Sequence, residues 1–258
     1  MSGRQARAAG ELPRGTVPGA AAALAMMTWL SLVLCLDAAG EPGASLLEQR
    51  LLGLATWAVL LVAALRASPL VRVQTAVVVL FATAVEYVFS PTLEVYVYRF
   101  DNVPWFVPPG HGLVYLSALA LGRTRFVRRH LRRCAVVVLL AGGAWASYGV
   151  LLADRSDALG AFWFACLAAF LVWGPSTGVY VGAFVVVSYL ELLGTALGVW
   201  QWQPRDPTGW ISIGNPPSGA AGGYAWFDLA GLLLAPVLLR WWSVTPDRPS
   251  RPDRVDAH

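Results

Sequence analysis

Residues 83 to 98 read TAVEYVFSPTLEVYVY and place one glutamate, Glu86, in an apolar stretch that ends in alternating tyrosines. Residues 188 to 202 read SYLELLGTALGVWQW and repeat this arrangement around Glu191. Each stretch has one hydroxyl three residues before its glutamate and another four residues after it, spacings that share one helical face. Each ends in two aromatic residues separated by one residue, and the first copy has one extra residue near Pro91. The two stretches therefore predict an internal repeat.

Both stretches run into a polar loop that ends in a proline pair just before a helix. The loops contain VPPGHG at residues 107 to 112 and NPPSGA at residues 215 to 220. Interrupted segments at matching positions of two halves mark binding sites in membrane proteins. Irregular backbone at membrane depth is tolerated only where protein or a water-filled cavity covers it. We therefore expect both loops to dip inward and face each other. The alternative is that each proline pair simply starts a helix, where a missing amide costs little.

The composition is that of an integral membrane protein. Hydrophobic residues make up 57% of the chain and charged residues 13%, whereas about a quarter of the residues of soluble domains are charged. Segments of roughly the 20 residues that span a bilayer lie at residues 19–39, 46–67, 69–91, 104–122, 130–153, 157–173, 175–200 and 223–243. The sequence predicts an all-α bundle of about eight spans, built as two parallel four-helix repeats at about residues 19–125 and 126–243.

The distribution of arginines supports this topology, because cytoplasmic loops carry the excess of positive charge. With eight spans and both termini inside, most arginines lie on the cytoplasmic side, including the run from Arg123 to Arg133. Most loop acids, such as Asp37, Glu41 and Asp157, then lie on the outer side. We therefore predict a multi-pass protein of the cell membrane whose tails, residues 1–18 and 244–258, are cytoplasmic.

The sequence also excludes several classes of chemistry. It contains no lysine, so Schiff-base chemistry with retinal or pyridoxal and a Walker-type phosphate loop are ruled out. Its three cysteines lie in predicted spans and lack the spacing of a zinc or disulfide framework. The net charge of +4 reflects topology rather than nucleic-acid binding. We expect no cofactor, no metal, and no nucleotide or nucleic-acid partner; the oligomeric state is undefined.

Three acids and one histidine are the candidates for catalysis: Glu86, Glu191, Asp228 and His111. An ionisable side chain inside a span usually faces the bundle interior as a functional group, so either glutamate could act as a proton donor. The alternative is a structural glutamate that bonds to a loop amide. Asp228 has no counterpart in the first half and follows Tyr224 by one helical turn. It has either a specialised role or a backbone amide or arginine as its partner.

Three interpretations of His111 remain open. At a helix N-terminus the dipole favours neutral imidazole, which could act as a base or as a hydrogen-bond donor to substrate. A metal site with Glu94 and Asp101 is chemically reasonable. A purely structural histidine that caps the loop is the third possibility.

Aromatic residues cluster at one predicted membrane boundary. They are Tyr96, Tyr98, Trp105, Trp200, Trp202 and Trp210. An interfacial belt is the usual role of such residues, but aromatic faces beside acids also stabilise cations. The candidate substrate-binding residues are therefore Tyr96, Tyr98, Trp105, Trp200 and Trp202, together with Asn215 and Tyr224.

A glutamate followed by alternating aromatics, a loop and a proline-rich re-entry resembles the pattern of membrane-embedded carotenoid hydratases and the related small lycopene cyclases. The pattern is also similar to that of small integral-membrane terpene cyclases. In this chain the resemblance lies in two patches, one around Glu86 and one around Glu191. It implies isoprenoid chemistry in carotenoid biosynthesis, with these glutamates as acids and Asp228 as a possible partner.

Three functions follow from these observations. The first is an enzyme that protonates a double bond of a lipid-soluble isoprenoid and completes the reaction by hydration or cyclisation, without a cofactor. The second is a proton-coupled secondary transporter or binder of a small solute, since repeats and broken spans are equally expected there. The third is a non-enzymatic membrane partner protein that uses small-residue faces such as Gly142, Gly143 and Ala146.

Overall fold

A computed structural model describes residues 19–38 and 43–243. The predicted tails, residues 1–18 and 244–258, and Glu41 lie outside the described residues. The helices are α1 (Ala20–Ala38), α2 (Leu46–Leu65), α3 (Pro69–Tyr87), α4 (Val107–Gly122), α5 (Arg125–Arg129), α6 (Leu131–Leu151), α7 (Ala158–Trp173), α8 (Thr177–Ala196) and α9 (Ala220–Ser243). Two short strands, β1 (Tyr96–Tyr98) and β2 (Trp200–Trp202), complete the described part.

The all-α prediction is confirmed, because each of the eight predicted apolar segments contains a helix. Within the described residues, six helices are long and apolar enough to cross a membrane: α1, α2, α3 with the turn that extends it, α6, α8 and α9. This agrees with a multi-pass membrane protein. Helices α4 and α7 have 16 residues each. At 1.5 Å per residue each is about 24 Å long, which is shorter than the roughly 30 Å hydrocarbon core.

Local sequence signals fix where several helices begin. The Ser45 hydroxyl accepts from the Glu48 amide, and the Glu48 carboxylate accepts from the Ser45 amide at 2.7 Å, which forms a capping box before α2. Ser68 caps α3, whose first residue is Pro69. Asp157 caps α7 by accepting from the Gly160 amide at 2.9 Å.

Helix α4 occupies the centre of the bundle, where 13 of its 16 residues are buried. It packs against α1, α2, α3 and α8. A Cβ added at Gly182 would collide with the carbonyl of Ala118, so the backbones of α4 and α8 lie in direct contact. Inner and peripheral helices differ in burial. In the inner helix α8, 56% of the apolar window is buried, whereas in the peripheral helices α2 and α6 only 22% is buried.

The inner helices of the two halves pair crosswise. Helix α3, before the first loop, packs against α9, which follows the second loop. Helix α8, before the second loop, packs against α4, which follows the first loop. The α3–α9 contact includes an edge-to-face pair between Phe81 and Phe227, with ring centroids 5.3 Å apart. The helix that carries Glu86 therefore packs against a helix from the second half of the chain, and the helix that carries Glu191 packs against a helix from the first half.

The two loops meet through the strands. Helix α3 continues into a π-helical turn, Val88–Thr92, which contains Pro91. Because a π-helical turn accommodates an extra residue, it accounts for the additional residue in the first copy. Strands β1 and β2 pair antiparallel, with Tyr96 opposite Trp202 and Tyr98 opposite Trp200. The aromatic pairs of the two stretches therefore lie side by side. The first proline pair lies in the first turn of α4, as the alternative interpretation has it.

Candidate functional site

Glu86 is surrounded by hydrogen-bond donors from the first loop and from α4. Its Oε2 accepts from the hydroxyls of Tyr96 and Tyr98, each at 2.9 Å. Its Oε1 lies 2.8 Å from Nε2 of His111. The carboxyl is buried, with the residue only 5% exposed. Both of its oxygens are therefore engaged inside the bundle.

The two phenols are fixed as donors. Burial raises the pKa of Tyr96 and Tyr98 well above the ordinary value of 10.0, and the negative charge of Glu86 raises it further. Both hydroxyls therefore stay protonated throughout the physiological pH range and donate to the carboxyl.

Glu191 is held by a different set of groups. Its Oε2 accepts from the indole Nε1 atoms of Trp200 and Trp202, each at 3.1 Å. Its Oε1 faces only the hydroxyl of Tyr224, at 3.4 Å, which is long for a bond between oxygens. Oε1 of Glu191 is therefore the least engaged carboxyl oxygen of the four.

Two glycines allow the second arrangement. A Cβ at Gly194 would collide with the ring of Trp200, so only glycine lets the indole lie across α8 and reach Glu191. Gly198 has a φ of +69°, a conformation that favours glycine, and turns the chain back after the helix. Because alternate residues of a strand share a face, both aromatic side chains of each strand then point to the same carboxyl.

Both carboxyls line one cavity of about 270 Å³. Its remaining walls are largely apolar and come from α1, α3, α4, α8 and α9. Across it the His111 ring packs against Tyr224 with centroids 4.9 Å apart, and Phe227 closes on His111 at 5.5 Å. His111 bonds to Glu86, and Tyr224 contacts Glu191. The ring contact between His111 and Tyr224 therefore places the polar surroundings of the two carboxyls next to each other.

The structure brings most of the predicted substrate-binding residues to this cavity: Tyr96, Tyr98, Trp200, Trp202 and Tyr224 line it. It does not bring Trp105, which is 47% exposed and lies under the guanidinium of Arg50. Nor does it bring Asn215, whose Oδ1 instead accepts from the backbone amide of Trp202 at 3.1 Å. Trp105 and the exposed Trp210 match the interfacial interpretation.

The remaining candidates lie as follows. Asp228 is buried in α9 but does not line the cavity. The threonines that share a helix face with the glutamates bond to backbone rather than to the carboxyls: Thr83 donates to the carbonyl of Val79 and Thr195 to that of Glu191. A hydroxyl in a helix commonly bonds to the preceding turn, and the sequence spacing did not reveal this.

Asp157, assigned from the sequence only as a loop acid, anchors the second loop. Its carboxylate accepts from the amides of Gly160, Gly214 and Ser218 and from the Ser218 hydroxyl, at 2.7 to 2.9 Å. The guanidinium of Arg155 donates to the carbonyls of Ile213 and Trp202, both at 2.6 Å. The signal for Asp157 was its position immediately before an apolar helix, where aspartate is a favoured cap.

The first loop has its own anchor. Asp37, predicted to lie in an outer loop, is instead buried within the last turn of α1, and this prediction was wrong. The guanidinium of Arg99 donates to the Asp37 carbonyl and lies 3.5 Å from its carboxylate. Gln49 donates to the same carboxylate at 3.1 Å and accepts from Asn102 at 2.9 Å. Polar partners from α2 and the first loop therefore hold this acid inside.

The structure pairs His111 with Glu86, a partner that none of the three interpretations named. Residues 19–38 and 43–243 contain no group of three or more His, Cys, Asp or Glu side chains that could hold a metal ion. Comparison with protein-family models, curated proteins and solved structures gives no match.

Proposed function

We propose that this chain is an integral membrane enzyme that protonates a double bond of a lipid-soluble isoprenoid, of the carotenoid or terpenoid class, and completes the reaction by adding water or closing a ring. The observation that carries the proposal is the convergence of Glu86 and Glu191 on one apolar cavity. Proton transfer to an alkene needs a positioned acid and a second group that takes a proton back. The two carboxyl groups satisfy that requirement.

Glu191 is the acid in this scheme. Its Oε1 has only the long contact to Tyr224, so a proton on that oxygen is free to point into the cavity. The alkene takes this proton, a new C–H bond forms, and a carbocation remains beside the Glu191 carboxylate. The indole bonds of Trp200 and Trp202 to Oε2 hold the carboxylate that results.

Glu86 and His111 form the base. After water adds to the cation, or after a second double bond closes the ring, one proton leaves the substrate and passes to this pair. The pair then releases this proton to water, and Glu191 takes up one proton from water, with the Tyr224 hydroxyl 3.4 Å from its Oε1. The cycle consumes no net proton, so it needs no cofactor.

The walls suit an apolar chain with a transient positive charge. Among the cavity residues, Phe89, Trp163 and Trp202 present aromatic rings that stabilise a cation. A volume of about 270 Å³ is near the lower limit of roughly 300 Å³ for ligand pockets, so the cavity suits one end of a longer isoprenoid. Phe81 and Trp226 line it and are 41% and 46% exposed. Their exposure supports entry of substrate from the bilayer.

We further propose that eight helices span the cell membrane as two parallel four-helix repeats, with both termini cytoplasmic. The crosswise pairing of α3 with α9 and of α4 with α8 supports the repeat. So does the presence of one caged carboxyl in each half. The arginine run at Arg123–Arg133 between the halves supports the orientation.

Lipid extracts test the proposal. Cells that produce the wild-type protein should contain a hydrated or cyclised isoprenoid that is lost in cells with Glu191→Gln. The matched control is Glu94→Gln, which changes an exposed glutamate outside the cavity. Both variants must reach the membrane in wild-type amounts.

Proton-coupled transport of a small solute is the alternative, because buried carboxyls would serve it equally. Identical extracts from all three strains, together with a solute gradient that collapses only in Glu191→Gln, would replace the enzyme proposal with this one.

A further inference from the structure

A second set of buried polar side chains begins one helical turn from His111 and Tyr224 and extends to Tyr180, eleven residues before Glu191 on α8. Helix α4 carries His111 and, four residues later, Tyr115; helix α9 carries Tyr224 and, four residues later, Asp228. Residues four apart share a helix face. Tyr115 and Asp228 are buried, as is Tyr180 of α8, yet none of the three lines the cavity. They form a separate group, which we call the lower polar group.

The members of this group lie close enough to influence each other. The ring of Phe170 in α7 stacks on Tyr180 with centroids 5.4 Å apart and contacts Trp226, two residues before Asp228, at 5.0 Å. Tyr115 donates to the side chain of Gln74 on α3 at 2.9 Å. A Cβ at Gly231, one turn beyond Asp228, would lie 3.1 Å from the Gln74 carbonyl, so α9 and α3 are in close contact at this level.

The protein itself leaves this group largely without hydrogen bonds. In the described ranges the hydroxyl of Tyr180 has no partner although the residue is 0% exposed. Asp228 is buried, and its carboxyl accepts no hydrogen bond from any described residue. One turn above, Nδ1 of His111 is also buried without a partner. Buried polar groups in proteins are nearly always bonded, to protein or to ordered water.

Water is the partner that these groups suit. An internal water needs two to four polar neighbours, and the Asp228 carboxyl, the Tyr180 hydroxyl and Nδ1 of His111 offer both donors and acceptors. We propose that the lower polar group holds ordered water and delivers it to the cavity, so that the reaction is a hydration. The delivery role depends on the proposed function; the water site does not.

The chemistry balances. The water oxygen uses a lone pair to form a C–O bond with the carbocation, and one of its O–H bonds breaks. The proton goes to Nδ1 of His111, which has a free lone pair when Nε2 carries the hydrogen that it donates to Glu86. Glu191 supplied the first proton, so the substrate gains one molecule of water in total.

X-ray radiolytic labelling of the full chain in lipid nanodiscs tests the water site without an activity assay. Hydroxyl radicals formed from bound water oxidise neighbouring side chains, even when a scavenger removes radicals from the bulk solvent. Tyr180 should therefore be labelled despite its burial. An unlabelled Tyr180 in the wild-type protein would overturn the proposal.

Two variants distinguish a loss of bound water from a change in side-chain packing. Asp228→Leu replaces the carboxyl with an apolar group of similar size, and labelling of Tyr180 should fall by roughly tenfold because the water loses its strongest partner. Asp228→Asn keeps a polar group and should retain most of the labelling. Labelling of the exposed Trp210 serves as the internal control. Equal labelling of Tyr180 in all three proteins would contradict the role of Asp228.

The lipid products complete the test. Asp228→Leu should lower the hydrated product and raise the product of proton loss from the same cation. If Tyr180 is labelled but Glu191→Gln leaves the extracts unchanged, the water site stands and the enzyme proposal fails. If Glu191→Gln removes the product while Tyr180 stays unlabelled, the enzyme proposal stands and the water site fails.

Discussion

The two glutamates occupy matching places in the two halves but have chemically different surroundings. Glu86 faces two phenols and an imidazole, whereas Glu191 faces two indoles and one distant phenol. Indole nitrogen only donates, and it neither accepts nor releases a proton under ordinary conditions. Imidazole can do both, whereas the phenols of Tyr96 and Tyr98 stay protonated and donate to Glu86. In the proposed mechanism the first carboxyl exchanges protons with His111, while the second has one oxygen that is fixed and one that is available.

In the proposed mechanism, the different surroundings give two carboxyls of the same type different roles. Two carboxyls with identical surroundings would be equivalent, and neither would be preferred as the proton donor or the proton acceptor. Environments that differ assign one group to each task. Here the exchange of Tyr96 and Tyr98 for Trp202 and Trp200, at directly opposed positions of β1 and β2, supplies that difference.

The largest expected effect comes from substituting the proposed base, His111, and the proposed acid, Glu191, in separate variants. His111→Gln should lower product formation by roughly 10²- to 10⁴-fold, the usual contribution of a general base. The substrate recovered from D₂O should nevertheless carry deuterium, because Glu191 still protonates it reversibly. Glu191→Gln should give neither product nor deuterium. Mass spectrometry of recovered substrate measures both. Deuterium in the Glu191→Gln sample would reverse the assignment of acid and base.

The second prediction concerns stability. Glu86→Leu leaves two phenols and an imidazole nitrogen buried without their acceptor, which should lower the free energy of unfolding by about 3–5 kcal/mol. Glu191→Leu leaves two indole N–H groups and should cost about 1–3 kcal/mol. Denaturant titration in detergent compares the two. Equal losses would mean that the two environments do not differ in strength.

The third prediction tests the anchor of the second loop. Asp157→Ala removes the acceptor for three backbone amides and one hydroxyl. It should cost about 2–3 kcal/mol and weaken the closure of β2 over Glu191. Asp206→Ala is the control, since its carboxylate bonds to a loop that is exposed to solvent. Protease cleavage within residues 203–214 should increase in the Asp157 variant.

The smallest effect is the alkaline pH dependence that Tyr96 and Tyr98 contribute. The pKa values of Tyr96 and Tyr98 are raised in the folded chain. A group whose pKa is raised on folding contributes stability that is complete below its unfolded pKa, about 10, and is lost as the pH rises beyond it. The midpoint of thermal unfolding should therefore fall above about pH 10. The double variant Tyr96→Phe and Tyr98→Phe should reduce this fall, whereas Tyr87→Phe, at an exposed position, should not.

Periodicity and composition predicted much of the fold. Apolar length located every long helix, and the matching stretches around Glu86 and Glu191 marked the two segments that pair as β1 and β2. The spacing also indicated an extra residue near Pro91, which the π-helical turn accommodates. These features are local, so a single sequence contains the information.

What the sequence missed depends on long-range contacts. Asp37 and Asp157 looked alike as loop acids, yet each is buried because a distant segment brings its partners, Arg99 in one case and Ser218 in the other. The pairing of His111 with Glu86 likewise joins residues 25 positions apart. Trp105 and Trp200 could not be separated by composition, since only the turn of the chain decides which indole reaches a carboxyl.

The central position of α4 has a consequence for how the protein is made. Nearly all of this helix is enclosed, and its principal partner α8 is synthesised later. The N-terminal portion therefore cannot reach its final arrangement when it leaves the ribosome, and α4 must wait beside the insertion machinery or in lipid for its partner. Separate expression of two fragments divided at the exposed α5 should yield inactive pieces that regain activity when they are produced together in one cell.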